Sequence, residues 1–127
     1  MFKRNYDSIV YLAINNNNND IIKIGETSDL KRRTKQLKKQ DYTVIQWVET
    51  YHPVDCRLFV ESSLRAILSN SHHIHQYKKD YFYTPKEKTT IVQKNFKTWV
   101  NDLVKTYEDI IERYHIWVIS LTKKIYK

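Results

Sequence analysis

The sequence has almost none of the residues that loosen or cross-link a chain: one glycine, two prolines and one cysteine in 127 residues. So little Gly and Pro excludes a linker-rich or disordered protein, and 41% apolar with 13% aromatic residues supplies the material of a core. The single Cys56 excludes an internal disulfide and a Cys-rich metal cluster, and fits a reducing compartment. Long apolar runs are also missing. The run over 9–14 holds six residues, too few for the apolar part of a signal peptide or for a membrane span, so an intracellular protein without a membrane partner is expected. The length suits one domain with about 30 residues to spare.

What is abundant is positive charge. A net charge of +8 and a pI near 9.5 favour polyanionic partners, nucleic acid before a membrane surface. Lys, Asn, Ile and Tyr are also the residues that an AT-rich genome over-supplies, so the distribution of charge has to decide. Residues 23–39 hold Lys23, Lys31, Arg32, Arg33, Lys35, Lys38 and Lys39 against only Glu26 and Asp29.

Residues 9–14 and 20–25 are short β-branched runs separated by five asparagines, which predicts a β-hairpin with a polar tip. With 15–19 as the loop, Ile14 pairs with Asp20 and Tyr11 falls directly opposite Lys23. Thr27, Ser28 and Asp29 offer caps for a helix over 30–40 with Leu30, Thr34 and Leu37 on its inner face and Arg33 bordering it. Lys31, Arg32, Lys35, Lys38 and Lys39 point mainly outward. A third strand is predicted over 42–49 and a second helix over 55–69, where Leu58, Leu64 and Leu68 surround Glu61. A carboxylate among leucines needs a compensating partner, with Arg57 and Arg65 at hand.

Tyr81-Phe82-Tyr83 reads as a short edge strand or a packing lid. Beyond Pro85, residues Phe96, Val100, Leu103, Tyr107, Ile110, Tyr114, Trp117 and Leu121 follow an unbroken 4-3 alternation, the seam of a long amphipathic helix. Residues 116–119 are also strand-like. The expected fold is α/β (α+β): a small three-stranded, mainly antiparallel sheet flanked by helices over 1–85, with a C-terminal helical extension over 86–127. That extension packs on the core or mediates association.

The hairpin with Tyr11, the Lys23-Ile24-Gly25 tripeptide, Arg33 eight residues past that glycine and a helical Glu61 together resemble the GIY-YIG nuclease superfamily, over residues 8–83. The run from Lys23 through Arg33 is similar to the compact phage- and virus-associated branch. The first tripeptide here is Val10-Tyr11-Leu12, and the second carries Lys23 where the name-giving tyrosine stands. The resemblance implies a metal-dependent endonuclease acting on DNA, and DNA rather than RNA only by that resemblance. It implies that Tyr11 accepts or relays the proton of the attacking water and that Lys23 favours the phenolate or contacts phosphate. It further implies that Arg33 holds the scissile phosphate and that Glu61 binds Mg²⁺ or Mn²⁺. Lys31, Arg32, Lys35, Lys38 and Lys39 are the expected nucleic-acid contacts. Asn70 and Gln76 are weak candidates for a further polar residue of the site.

Each residue alone has a plainer reading: a core tyrosine, an outward lysine, one cation among many, a paired glutamate. His72, His73 and His75 read as a solvated loop rather than a zinc site, and Cys56 as a small buried residue. Two other functions stay open: a silent nucleic-acid-binding module of the same fold, and a helical interaction protein, such as a homodimer, built on the 96–121 seam.

Overall fold

A computed structural model describes residues 8–50, 54–70, 74–78, 80–84 and 86–125. The expected α+β fold is present: β1 (Ile9–Asn15), β2 (Ile21–Thr27), α1 (Leu30–Lys39), β3 (Tyr42–Glu49), α2 (Val54–Ser69), β4 (His75–Lys78), β5 (Tyr81–Tyr83) and α3 (Lys86–Ile125). The strands form one five-stranded sheet in the order β3-β1-β2-β5-β4, with every neighbouring pair antiparallel. The sheet is therefore larger than the three strands expected. Tyr81 to Tyr83 form an inner strand, covered by β4, a four-residue strand whose sequence His-Gln-Tyr-Lys carries no alternating apolar signal.

The hairpin register also differs from the expected one. Ile14 faces Ile22 and Tyr11 faces Gly25, whereas Lys23 faces Ala13. The tip explains the shift. Asn15 turns its Oδ1 to accept the N–H groups of Asn17 and Asn18, and Asn18 does the same for Asp20, so β1 runs one residue further than expected, to Asn15, and β2 begins one residue later, at Ile21. A shift of two residues preserves the alternation, so Tyr11 and Lys23 still share a face as diagonal neighbours.

Strict alternation sorts the sheet residues between two layers. Val10, Leu12, Ile22, Ile24 and Phe82 pack against Val60, Leu64 and Leu68 of α2 and Val92, Phe96 and Val100 of α3. Tyr11 and Ala13 face the other way, toward Leu37 of α1 and Tyr42. The start of α1 is fixed by Asp29, whose carboxylate accepts the Arg32 N–H at 3.0 Å. Thr34, expected inside, is exposed, so α1 rests on Leu37 and partly on Leu30. Asp41 turns the chain into β3 with φ 64°, a left-handed conformation that short Asx side chains tolerate.

The first half of α3 lies on the sheet and the rest runs clear of it. Tyr107 still meets Phe59 of α2, with ring centroids 5.7 Å apart, but every side chain from Glu108 to Lys124 is exposed. The strand-like 116–119 stretch is helical, and α3 continues to Ile125. No helix among the described residues is long and apolar enough to cross a membrane.

Candidate functional site

The centre of the sheet presents a row of three residues across β3, β1 and β2: Trp47, Tyr11 and Gly25, each directly opposite the next. Tyr11 is fully buried, and the hydroxyl end of its ring fills the space beside Gly25. A Cβ at position 25 would stand 2.2 Å from the Tyr11 Oη and 2.3 Å from its Cζ. The absence of a side chain there is what lets the phenol occupy its place.

Arg33 completes this centre. It leaves α1 on the flank turned toward Tyr11, and its Nη1 donates to the Tyr11 Oη at 3.3 Å. The seven residues between Gly25 and Arg33 are spent on the end of β2, on Thr27 accepting the Asp29 N–H, and on the first turn of the capped helix. Arg33 is half-buried, so much of its five-donor fork remains available.

Lys23 sits on the same sheet face. Its Nζ lies 5.1 Å from the ring centroid of Tyr81, its cross-strand partner on β5, and Tyr81 stands edge-on to Tyr42 at 5.4 Å. The lysine is thus steered by a cation–π contact beside the Tyr11 face.

Glu61 belongs to α2, on the opposite layer, and is 8% exposed. Val60, Leu64 and Leu68 are buried around it, whereas Leu58, expected among its apolar neighbours, is 42% exposed. Its partner is Arg65, one helical turn away, with Nε 2.6 Å from Oε1 in a charge contact that lacks an aligned hydrogen bond. Arg65 also reaches Asp80 at 3.3 Å, and the Asp80 carbonyl accepts the Ile24 N–H. Arg57 pairs instead with Glu26. Because β5 pairs only with Ile21, Ile22 and Lys23, the strip 24–26 of β2 is bordered by these α2 charges on one layer and by Tyr11 and Arg33 on the other.

The Glu61 carboxylate offers the hard oxygen donor that Mg²⁺ or Mn²⁺ takes, and such ions commonly use one or two carboxylates and complete their shell with water and phosphate. No cluster of three or more His, Cys, Asp or Glu is present among the described residues. Asn70 closes α2 by donating to the Ala66 carbonyl at 2.8 Å, and Gln76 is an exposed residue of β4. His72, His73 and the side chain of His75 lie outside the described residues.

Lys31, Arg32, Lys35, Lys38 and Lys39 are all exposed on α1. Lys31 and Lys35 line a cleft of about 570 Å³ together with Leu30, Thr34, Val44 and Trp47. Cys56 is buried, and burial first, then the Glu108 carboxylate, pushes its thiol up to about 11, so it is no nucleophile at neutral pH. Trp47 and Asp80 are absent from the residues the sequence singles out, whereas Arg65 is one of the two partners it offers Glu61. Only the third strand's register could have put Trp47 beside Tyr11, and a bulge between Leu12 and Ala13 hides that register from simple counting.

Residues 8–113 match the T5orf172 domain. That domain occurs in phage and bacterial nuclease-like proteins and is associated with a GIY-YIG-like fold, consistent with a nuclease-like or DNA-binding module. No curated protein and no solved structure matches the chain. Most of the chain, from the buried start of β1 through the first seven turns of α3, lies within that match, and the chain belongs to the T5orf172 domain family.

Proposed function

We propose that this protein is a metal-dependent endonuclease that hydrolyses phosphodiester bonds in DNA at a GIY-YIG-type site. The observation that carries the reading is the 3.3 Å contact between Arg33 and a Tyr11 phenol set beside the only glycine in the sequence. An arginine fork beside a phenol oxygen pairs a phosphate holder with a proton acceptor, the two groups that hydrolysis of a phosphodiester requires.

In this reading Arg33 grips the non-bridging oxygens of the scissile phosphate, and Tyr11, acting as the phenolate, takes the proton of the water that attacks phosphorus and ends the step as the phenol. Lys23, anchored over Tyr81, adds positive charge on the same face. Glu61 holds the divalent ion, which offsets charge on the leaving oxygen when bound. Arg65 would have to release Glu61 for this, and Asp80 already stands beside Arg65 to keep its guanidinium.

Nicking of supercoiled plasmid with Mg²⁺ or Mn²⁺ tests the reading. Wild type converts the plasmid to the open circle, while Tyr11→Phe, Arg33→Ala and Glu61→Gln, each shown to be folded, lose about a hundredfold or more of that rate. Retained cleavage in Glu61→Gln would remove the metal assignment. Salt-sensitive binding without cleavage would identify the chain as a silent nucleic-acid-binding module instead.

A second reading rests on α3. Ile110, Tyr114, Trp117 and Leu121 are exposed at 4-3 spacing, the repeat by which two copies of one helix interlock. Lys105, Arg113, Lys123 and Lys124 are nearly balanced there by Glu108, Asp109 and Glu112, so this segment suits a second copy of the chain better than a polyanion.

A further inference from the structure

The cleft between α1 and β3 has a composition that the proposed hydrolysis does not use. Its lining is mainly apolar, with Leu30, Val44 and Trp47, and the exposed side chains of Lys31 and Lys35 border it. Lys38 lies one turn further along the same helix flank. Trp47 is 48% exposed, although it stands directly opposite the fully buried Tyr11 on an edge strand. A large aromatic side chain left open beside paired cations is what an unpaired base needs: a π-face for stacking, and charges for the phosphates on either side.

We infer that this cleft is a subsite for an unpaired nucleotide, which stacks its base on Trp47 and sets its phosphates against Lys31 and Lys35. The inference rests on the nucleic-acid reading above and gives it a substrate class: DNA with single-stranded character next to the cleaved bond. Arg33 leaves α1 on the flank away from Lys31 and Lys35, so the two positions are separated by the width of the helix, about 10 Å. A strand crossing the start of α1 spans that gap with a few nucleotides. Stacking and charge are both indifferent to base identity, so the subsite selects strandedness and not sequence. A duplex keeps its bases within the stack and cannot fill an apolar cleft of this kind.

Equilibrium binding of the full chain to a 12-mer oligothymidylate and to a blunt duplex, without divalent metal, tests the inference. The expected result is quenching of the tryptophan emission by the oligothymidylate, lost in Trp47→Phe although Trp99 and Trp117 remain, and tighter binding of that strand than of the duplex. Trp47→Ala should weaken single-strand binding about tenfold and leave duplex binding unchanged, while Trp47→Phe keeps most of it. Lys31→Gln with Lys35→Gln should lower the salt dependence of single-strand binding, and thermal melting shows that each variant folds. Single-strand binding that Trp47→Ala leaves intact, or a preference for duplex, overturns the subsite while the nuclease reading stands. Failure of the wild type to bind either nucleic acid overturns both.

Discussion

Replacing Gly25 by alanine would drive a methyl group into the Tyr11 phenol, since the added Cβ would lie 2.2 Å from its Oη. The sheet cannot yield there, because β1 and β2 are paired on both sides of the contact. The variant should lose about 1–3 kcal/mol in denaturant unfolding, and Tyr11→Ala in the same chain should recover part of that loss in a double-mutant cycle. Equal losses with and without the ring would refute the cradle. Position 25 was legible in the sequence as part of a motif, but its packing role depends on a register that counting placed two residues away. Cys56 makes a second prediction at this scale. Its folded thiol is raised from 9.0 to about 11, so the folded state holds the proton more tightly than the unfolded chain. Stability is therefore insensitive to this group below pH 9 and falls as pH rises from about 9 to about 11. A Cys56→Ala variant should show a shallower fall, and Ellman's reagent at pH 8 should label wild type only when it is unfolded.

Among the elements, α1 governs both the candidate catalytic centre and the cleft. One face carries Leu37 into the core, one flank brings Arg33 to Tyr11, and the other turns Lys31 and Lys35 to Trp47. Its start depends on one capping contact, from Asp29 to the Arg32 N–H, a single residue before Arg33. Asp29→Ala should cost about 1 kcal/mol in unfolding and lower nicking by more than that loss explains, while Asp29→Ser should preserve both. The helix and its cap were readable because capping chemistry and apolar spacing are local. Tyr81 to Tyr83 were readable as a short strand, but β4 and the place of β5 inside the sheet were not, since pairing with β2 is a tertiary event and β4 has no periodic signal. Glu61 was readable as a carboxylate in need of a partner. Its choice of Arg65 over Arg57 was not, because Glu26, distant in sequence, takes Arg57.

At the scale of the whole molecule, one helix serves two environments. The stripe that buries Val92, Phe96 and Val100 against the sheet continues through Ile110, Tyr114, Trp117 and Leu121 with nothing beneath it among the described residues. The 4-3 pattern is unbroken along this length, so sequence alone could not say where burial by the sheet ends. Trp117 is 58% exposed, and its ring lies 6.1 Å from that of Tyr114. If a second copy covers the stripe, sedimentation velocity should show a dimer that grows with concentration and disappears in Ile110→Glu with Trp117→Glu. A monomer at every concentration would remove that reading and leave the site untouched.

The proposed hydrolysis has Tyr11 and Arg33 act as one catalytic unit. It is tested most directly by a double-mutant cycle on kcat/KM for plasmid nicking, using Tyr11→Phe, Arg33→Ala and the two together. Groups that work on the same step are strongly non-additive, so each single variant should fall by about 10²–10⁴ and the double variant by little more than the worse single one. Losses that multiply, or a folded wild type that does not nick with either Mg²⁺ or Mn²⁺, would contradict the account.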